Sequence, residues 1–384
     1  MNTSPEETSN YKSEPRKLAT IAKIEAIEDI SFTNENGIEE IAQNIVKAKV
    51  RGWSVVTQRS NNFTPGSLCV YFEIDSVLPA DNPEFAFLEK YKYRLRTIKL
   101  KGQISQGLIL PISILEHLPN CPGKIEDLAG NLYFVPDKTP DVHIPIFEGH
   151  DFTETIGVVK YEPPIPANLR GQVKGLFPHF LRKTDEERIQ NAEWLLEKYK
   201  GKEFYATEKL DGSSFTCYRK DGVFGVCSRN LELTETADNA YWQLARRLQI
   251  EEKMIELGLD NVCIQGEMIG PGIQKNRYGL KQVELYIFDA FDIETQEYTR
   301  PATGRVCMRD ITELGIPWVE DVWDGILNFT LEEVLAMADG PSFLNPDVMR
   351  EGIVFRPEDE TRDPKFGRVS FKAISNAYLL KHGE

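Results

Sequence analysis

The sequence has few cysteines, few histidines and no long apolar run. Its six cysteines show neither a CxxC pair nor a metal-ligand spacing, which excludes a disulfide framework and argues against a structural zinc site. No stretch approaches the roughly 20 apolar residues that span a bilayer, and the polar N-terminus lacks the apolar segment of a secretory signal. We therefore expect an intracellular protein of a reducing, cytoplasmic compartment. The expected reduced thiols are Cys69, Cys121, Cys217, Cys227, Cys263 and Cys307.

Positive charge is also in short supply. Sixty acidic residues stand against 45 basic ones, which gives a net charge of −15. This balance argues against non-specific wrapping of nucleic acid, which needs a basic surface. A local basic groove remains compatible with it, so composition alone does not identify the partner.

The chain is organised as two domains, since one domain takes roughly 100–200 residues. Residues 1–16 are mostly polar and predict a disordered tail. Short alternating apolar runs fill residues 17–161 and predict a small closed barrel, OB-like as the first interpretation and SH3-like as the second. The proline-rich segment Glu162–Pro166 predicts a linker, and residues 162–384 form the second domain.

In this second domain strands and helices are interspersed without a regular βαβ repeat. That pattern favours an α+β fold over a doubly wound α/β fold. Thr184–Glu187 has the pattern of a capping box and predicts a helix whose apolar spacing continues to Tyr199. Phe204–Cys227 predicts strands with a turn at Asp221-Gly222, and another helix is expected around Tyr241–Leu257.

A basic run at residues 90–101 stands out in this acidic chain. Alternate residues of an extended strand share one face, so four of its cations are expected to project together. One interpretation is a solvated edge strand that charge protects from aggregation, and the other is binding to nucleic-acid phosphates. Both stay open. The four cations are Lys90, Lys92, Arg94 and Arg96.

The strongest chemical signal is a lysine, Lys209, at the end of an apolar strand, followed by Leu210, Asp211 and Gly212. A lysine is a poor nucleophile at its usual pKa of about 10.4 and needs neighbours that depress it. Covalent nucleotidyltransferases use a Lys-x-Asp-Gly element to attack the α-phosphate of a nucleoside triphosphate. Alone the element is weak, because a surface lysine beside an Asp-Gly turn has the same letters.

Further elements follow in a consistent order. The series resembles the motifs of the ligase and capping-enzyme superfamily, from its nucleophile motif to its last lysine motif. Its members are Ser228-Arg229-Asn230, Gln265-Gly266-Glu267, Tyr286-Ile287-Phe288-Asp289, Glu351-Gly352-Ile353-Val354-Phe355-Arg356 and Ser370-Phe371-Lys372.

Segments outside this series select a branch. Lys183–Asn191 is similar to RNA ligases rather than DNA ligases, and Gly66–Asp75 with Lys99–Gly107 resembles ATP-dependent RNA ligases of the Deinococcus–Naegleria type. The resemblance covers nearly all of residues 17–384. It implies an OB-like domain before a nucleotidyltransferase domain built on antiparallel sheets. The 12 residues after Lys372 leave no room for the C-terminal OB domain of DNA ligases and capping enzymes.

The resemblance assigns the nucleotide contacts position by position. Lys209 would be the catalytic nucleophile that forms a lysyl-AMP with ATP. Glu208 and Leu210 would offer backbone groups to adenine, and Phe288 would stack on the base.

The resemblance also assigns the charged groups around the phosphates. Arg229 would contact the ribose or the phosphate end of the adenylate, and Lys372 would steady the phosphate. Asp211, Glu267 and Glu351 would hold a hydrated Mg²⁺ or Mn²⁺, and Glu267 would alternatively bind a ribose hydroxyl. Three carboxylates around one lysine would raise its pKa and repel a triphosphate unless a divalent cation joined them.

These features lead to the hypothesis of an ATP-dependent RNA ligase, acting as a monomer and joining 3′-hydroxyl and 5′-phosphate ends of RNA at nicks in duplexes. The alternative is a nucleic-acid-binding or regulatory protein that keeps the fold without efficient sealing. Ser370 and the negative charge support that alternative, because related ligases often carry a second lysine where Ser370 stands. A guanylyltransferase or a DNA ligase is disfavoured by the short C-terminus.

Overall fold

The described part of the chain divides into two compact units. The structure, a computed structural model, describes residues 16–33, 37–162, 171–299 and 311–382. The predicted tail up to residue 15 and the prolines of the predicted linker lie outside the described residues. No helix in the described residues is long and apolar enough to cross a bilayer. The first unit takes the described residues within Met1–Arg96, Leu100–Tyr161 and Arg362–Val369, and the second those within Thr97–Lys99, Glu162–Thr361 and Ser370–Glu384.

The N-terminal part is rich in short strands. They are Ala19–Lys23 (β1), Ala26–Thr33 (β2), Glu39–Val50 (β3), Trp53–Gln58 (β4), Leu68–Phe72 (β5), Ser76–Val77 (β6), Ile98–Leu100 (β7), Gln103–Ser105 (β8), Leu108–Pro111 (β9), Gly123–Leu128 (β10), Asn131–Pro136 (β11), Ile144–Ile146 (β12) and Val159–Lys160 (β13). A short helix spans Thr153–Ile156 (α1), and 3-10 segments span Arg59–Asn61, Pro83–Tyr91 and Ile112–His117.

These strands form antiparallel sheets of two or three members. The three-stranded sheets have the orders β1-β5-β9, β2-β3-β4 and β10-β11-β12. Turns and 3-10 segments separate the sheets, so in the described residues the strands do not close into the single barrel that the sequence predicted. The β-rich character of this unit is as predicted.

Strand β5 explains how the N-terminal unit obtains its core. Val70 and Phe72 point into one cluster of buried side chains, whereas Cys69 and Tyr71 point into another. Both faces of this strand are buried, which accounts for its unbroken apolar run. Gly107 lies against the strand at φ +92°, where a Cβ atom would come within 2.5 Å of the Phe72 carbonyl oxygen. A residue with a side chain would therefore push β5 out of place.

The basic run does not form the predicted extended strand. Lys90 lies in the 3-10 segment Pro83–Tyr91, and Lys92 follows it in the left-handed region at φ 54°. Arg94 is turned inward, where it donates to the Asp75 carboxylate over 2.7 Å and its guanidinium lies 3.6 Å from the centroid of the Tyr161 ring. The prediction of one shared face was wrong, because a helical turn and positive-φ residues break the period of two. Lys90, Lys92 and Arg96 are exposed.

The second unit contains most of the longer strands. Its strands are Val173–Leu176 (β14), Glu187–Arg188 (β15), Glu203–Lys209 (β16), Ser213–Lys220 (β17), Val223–Cys227 (β18), Leu231–Leu233 (β19), Val262–Ile269 (β20), Glu284–Asp292 (β21), Glu297–Thr299 (β22), Asp321–Ile326 (β23), Gly352–Pro357 (β24) and Phe371–Ile374 (β27). The pair Arg362–Asp363 (β25) and Gly367–Arg368 (β26) belongs to the first unit.

Two sheets organise this unit. One has seven strands in the order β14-β19-β18-β17-β20-β21-β22, and the other has five in the order β15-β27-β24-β16-β23. The pairings are antiparallel except that of β15 with β27. The α+β prediction is confirmed, and so are the strands expected within Phe204–Cys227.

Helices of the second unit are short. They are Trp194–Lys198 (α2), Ala240–Arg247 (α3), Ile250–Glu256 (α4), Leu331–Ala338 (α5) and Asn376–His382 (α6), with 3-10 segments at Ile189–Asn191 and Gln274–Asn276. The helix expected from the capping box was wrong: Glu187–Arg188 is a strand, because it pairs with β27, and α-helix begins only at Trp194. The helix expected around Tyr241–Leu257 is two helices, separated at Gln249 with φ 54°.

Helices α3 and α4 cover one face of the seven-stranded sheet. Trp242 and Leu244 of α3 and Met254 of α4 are buried together with Phe215 and Ile264 from the strands. The side chain of Asn239 caps α3 by accepting from the backbone N–H groups of Tyr241 and Trp242 over 3.0 and 3.2 Å. This packing fixes β17 and β20, the two strands that border the candidate site.

Candidate active site

Lys209 occupies the C-terminal end of β16, between β24 and β23 in the five-stranded sheet. Its register partner on β24 is Gly352, where a Cβ atom would lie 2.2 Å from the Ala373 carbonyl oxygen. The pairing of β16 with β24 places Glu351, the residue before β24, beside the lysine, while the close approach of β27 holds Gly352 from the other side. Lys209 Nζ donates to Glu351 Oε2 over 2.7 Å. The sequence-predicted pair of nucleophile and carboxylate is therefore brought together across 142 positions of chain.

The local charges favour the ammonium form of this lysine. Burial by itself lowers the pKa of Lys209, but the carboxylates of Glu351, Glu267 and Asp211 outweigh that effect, so the pKa is raised. Burial also raises the pKa of Glu267 to about 8, and neighbouring carboxylates add to the rise. Three carboxylates thus lie around one lysine, and both Lys209 and Glu267 hold their protons more tightly than they would in water.

Asp211 is anchored rather than open to a ligand. Its Oδ2 accepts a hydrogen bond from the Tyr378 hydroxyl and forms an ion pair with Arg277, while its backbone N–H donates to Tyr278 Oη over 2.7 Å. The next residue, Gly212, packs against β20 so closely that a Cβ atom would lie 2.5 Å from the Met268 carbonyl oxygen. The turn after the lysine is therefore fixed from two sides. No sequence pattern pointed to Arg277, Tyr278 or Tyr378.

The donor set fits a divalent cation only in part. Within the described ranges no group of three His, Cys, Asp or Glu side chains is close enough to hold a metal ion directly. Glu267 and Glu351 suit contact through water, since a nearby cation would favour the ionised form of Glu267 and would replace Lys209 as the counter-charge of Glu351. Asp211 is already engaged by Arg277 and Tyr378. The metal assignment of these three carboxylates stays a prediction.

Phe288 lies at a break in the register between β20 and β21. Residues Gln265 and Gly266 of β20 pair with Asp289 and Ile287, so Phe288 is the extra residue of a β-bulge. Its half-buried ring packs in the cluster that contains Leu210. Tyr286 packs in the same cluster, whereas Leu285 and Ile287 pack in the core on the other face, so the alternation of β21 keeps Phe288 out of that core. This placement is compatible with the predicted base platform.

The predicted adenine contacts of Glu208 and Leu210 concern their backbone groups. The N–H of Glu208 already donates to the Glu320 carbonyl oxygen over 2.9 Å. The Glu208 side chain is buried and accepts from the N–H of Phe343 over 2.9 Å, and burial raises its pKa. Glu208 therefore holds the segment around Phe343 in place, which the sequence did not suggest.

Arg229 and Lys372 meet at one carboxylate. Asp185 Oδ1 lies 3.0 Å from the Arg229 guanidinium and 3.6 Å from Lys372 Nζ. Arg229 is exposed, whereas burial lowers the pKa of Lys372 to about 8, with Asp185 opposing the shift. The two cations predicted to contact the adenylate phosphate thus lie close together. Ser370, near Lys372, has a buried hydroxyl that has no hydrogen-bond partner within the described residues.

A buried arginine ties these parts together. Arg356 on β24 is 3% exposed, and its guanidinium lies 3.1 Å from Asp289 Oδ2 and 3.3 Å from Glu186 Oε1. It also donates to Thr207 Oγ1 over 3.3 Å. Asp289 follows the bulged Phe288, and Thr207 lies two residues before the nucleophile. Sequence reasoning quoted Arg356 in a motif but gave it no role.

The site has the arrangement of the covalent nucleotidyltransferase class. A lysine at a strand end is hydrogen-bonded to a carboxylate, two cations lie close together, and an aromatic ring projects from a bulge.

Comparisons with known proteins agree. The family model for RNA ligase matches residues 202–374, and that for an OB-fold domain matches residues 18–112. No relative is found among curated protein sequences. The chain is similar to solved structures of Naegleria gruberi RNA ligase. A mutant with ATP and Mn has 40% identity and a TM-score of 0.76, and the match covers 96% of this chain and 99% of that one. The same enzyme with PPi has 41% identity and a TM-score of 0.75, with 96% and 99% covered. Another mutant, with AMP and Mn, has 41% identity and a TM-score of 0.76, with 96% and 99% covered.

The chain therefore belongs to the RNA ligase family, as the motif series indicated. The N-terminal OB-like prediction is confirmed by the second family match.

Proposed function

We propose that this protein is an ATP-dependent RNA ligase that seals 3′-hydroxyl and 5′-phosphate ends at nicks in duplexes through a lysyl-AMP. The observation that carries the proposal is the 2.7 Å contact of Lys209 with Glu351 at the strand end. Family membership and the ATP, AMP and pyrophosphate in the structures of the Naegleria enzyme support it.

In the first step Lys209 Nζ attacks the α-phosphorus of ATP. An N–P bond forms, the bond from the α-phosphorus to the bridging oxygen breaks, and pyrophosphate leaves. The Lys209 ammonium must lose one proton before the attack and a second as the N–P bond forms. Glu351 is the acceptor in hydrogen-bond contact for the first, and the second passes to solvent. A divalent cation held through Glu267 and Glu351 would offset their charge and lower the pKa of the lysine.

The later steps return the lysine to its free form. An oxygen of the RNA 5′-phosphate attacks the adenylate phosphorus, the N–P bond breaks and Lys209 regains both protons. The RNA 3′-hydroxyl then attacks the 5′-phosphorus, the phosphodiester forms and AMP leaves. Lys372 and Arg229 supply positive charge where these phosphates would pass, and Phe288 supplies a face for the base.

The RNA-binding surface belongs to the proposal as well. Lys90, Lys92 and Arg96 remain exposed and suit phosphate contacts. Arg94 is committed to Asp75 and is better described as a support of this segment. Action as a monomer stays a prediction, and the described cysteines, which are free thiols, fit the proposed reducing, cytoplasmic compartment.

The test is incubation with α-labelled ATP and Mg²⁺ or Mn²⁺. Wild type should retain label after denaturation, Lys209→Ala should not, and Lys200→Ala should match wild type because Lys200 is an exposed lysine of the same unit. Nicks with 3′-terminal ribonucleotides should be sealed in preference to all-DNA nicks. No covalent adduct with ATP or GTP in either metal would refute the proposal and favour a binding or regulatory protein.

A further inference from the structure

The C-terminal helix α6 reaches the turn that follows the proposed nucleophile. Its Tyr378 is 1% exposed, and the hydroxyl donates to Asp211 Oδ2, which is 167 positions away in the chain. The Arg277 guanidinium pairs with the same carboxylate and lies 5.2 Å from the centroid of the Tyr378 ring. One buried carboxylate is thus held by two partners from separate segments.

The start of this helix is fixed next to the other half of the site. Ser375 Oγ accepts from the Tyr378 N–H over 3.0 Å, which caps the helix. The Ser375 N–H donates to the Glu351 carbonyl oxygen over 2.9 Å. Glu351 is the carboxylate bonded to Lys209, so a stretch of four residues contacts both Glu351 and Asp211.

These contacts determine where the lysine points. Lys209 is the last residue of β16, and beyond it the turn is held through the Asp211 carboxylate and through the Asp211 N–H, which donates to Tyr278. Gly212 packs closely against β20, where a Cβ atom on it would lie 2.5 Å from the Met268 carbonyl oxygen. Loss of the Tyr378 hydroxyl would remove one of these two contacts to the Asp211 carboxylate and leave the contact with Arg277. The turn after Lys209 would then be free to shift.

We propose that Tyr378 is a positioning residue for adenylylation, acting through Asp211 to align Lys209 with the α-phosphate. The proposal rests on the proposed ligase function and deepens it. It assigns a role in the first chemical step to the helix at the end of the chain. Arg277 shares this role at the same carboxylate oxygen.

The test is Tyr378→Phe, which removes one oxygen and keeps the ring in place. The single-turnover rate of lysyl-AMP formation at saturating ATP should fall roughly tenfold to a hundredfold, because small misplacements of reacting groups have effects of that size. The ATP dissociation constant should stay within about twofold, since the hydroxyl contacts no predicted nucleotide-binding group. Sealing of a nick supplied already adenylylated should be affected much less, because that step does not use Lys209 as nucleophile.

A matched variant separates positioning from general stability. Tyr218→Phe also removes a buried tyrosine hydroxyl that donates to a carboxylate, here Glu232 over 2.7 Å, in the same unit. The two variants should have similar melting temperatures, and only Tyr378→Phe should be slow. Arg277→Lys should be slowed in the same step with its charge retained.

Three results would overturn the inference. One is a Tyr378→Phe rate equal to that of wild type. Another is a loss of rate that Tyr218→Phe shows as well, or a melting temperature of Tyr378→Phe well below that of Tyr218→Phe. Either would indicate that Tyr378 has a structural role only. If wild type itself forms no adduct, the proposed function fails first and the inference fails with it.

Discussion

Arg356 offers the sharpest test of how the site is held together. Arg356→Met removes the positive charge of the side chain and keeps much of its volume. Asp289 is 2% exposed and would remain buried without its 3.1 Å partner, and Glu186 would lose its 3.3 Å contact. Removing one member of a buried ion pair costs about 3–5 kcal/mol of unfolding free energy.

The comparison variant is Arg219→Met in the same unit. Arg219 pairs with Asp260 over 3.1 Å, but the two side chains are 18% and 40% exposed. Pairs with this access to water contribute about 0–1 kcal/mol. The same charge is lost in both variants, so the difference between them isolates the effect of burial.

Urea denaturation followed by tryptophan fluorescence gives the two free energies. The double variant Arg356→Met/Asp289→Leu should recover most of the loss, since replacing both members of a buried pair by apolar residues is often close to neutral. Its adenylylation should stay impaired, because Phe288 and Thr207 lose their common anchor. Equal stabilities of Arg356→Met and Arg219→Met would refute the reasoning.

Three further predictions concern the nucleotide. Affinity for a non-hydrolysable ATP analogue, measured by titration with Lys209 intact, should weaken as pH rises through about 8, because burial lowers the pKa of Lys372 to about 8 and its charge is lost above that pH. Lys372→Arg should reduce this dependence, and the part that remains is assigned to Glu267, whose pKa is raised to about 8. Phe288→Ala should weaken ATP binding by about 1–3 kcal/mol, the usual value of a base–aromatic stack, whereas Phe288→Tyr should bind normally in the same titration. Gly212→Ala should destabilise the protein by about 1–3 kcal/mol in urea denaturation and slow adduct formation, because the alanine Cβ would lie 2.5 Å from the Met268 carbonyl oxygen. Wild-type stability and a wild-type rate of adduct formation would show that the turn is not tightly packed.

Local sequence patterns identified the chemistry of the site better than its supports. The order of short motifs around Lys209, Glu267 and Glu351 was sufficient to assemble the carboxylates near the lysine, because each motif sits on a strand whose register is set by its apolar residues. The partners of Asp211 could not be found this way. Arg277 and Tyr378 lie far along the chain and carry no local pattern, so only the packed structure brings them to the turn.

The errors have physical causes as well. Thr184–Glu187 satisfies the letters of a capping box, yet the backbone at Glu187–Arg188 gains more from pairing with β27 than from starting a helix. The cations at residues 90–96 alternate in the sequence as they would on a strand, and this pattern does not predict the left-handed backbone conformation at Lys92. Tertiary pairing and turn geometry decided both segments against their local preference.

The charges of the site are paired internally before any substrate binds. Lys209 is bonded to Glu351, and Arg229 shares Asp185 with Lys372. Binding of a triphosphate must therefore exchange partners: its oxygens take the place of Asp185 at the two cations, while Lys209 must leave the carboxylate to attack. Such exchange keeps every charge compensated in a partly buried site, where an unpaired ion would be costly. The same pairing keeps Lys209 protonated and unreactive until the nucleotide changes the charge around it, so the arrangement that stabilises the free protein also restrains its nucleophile.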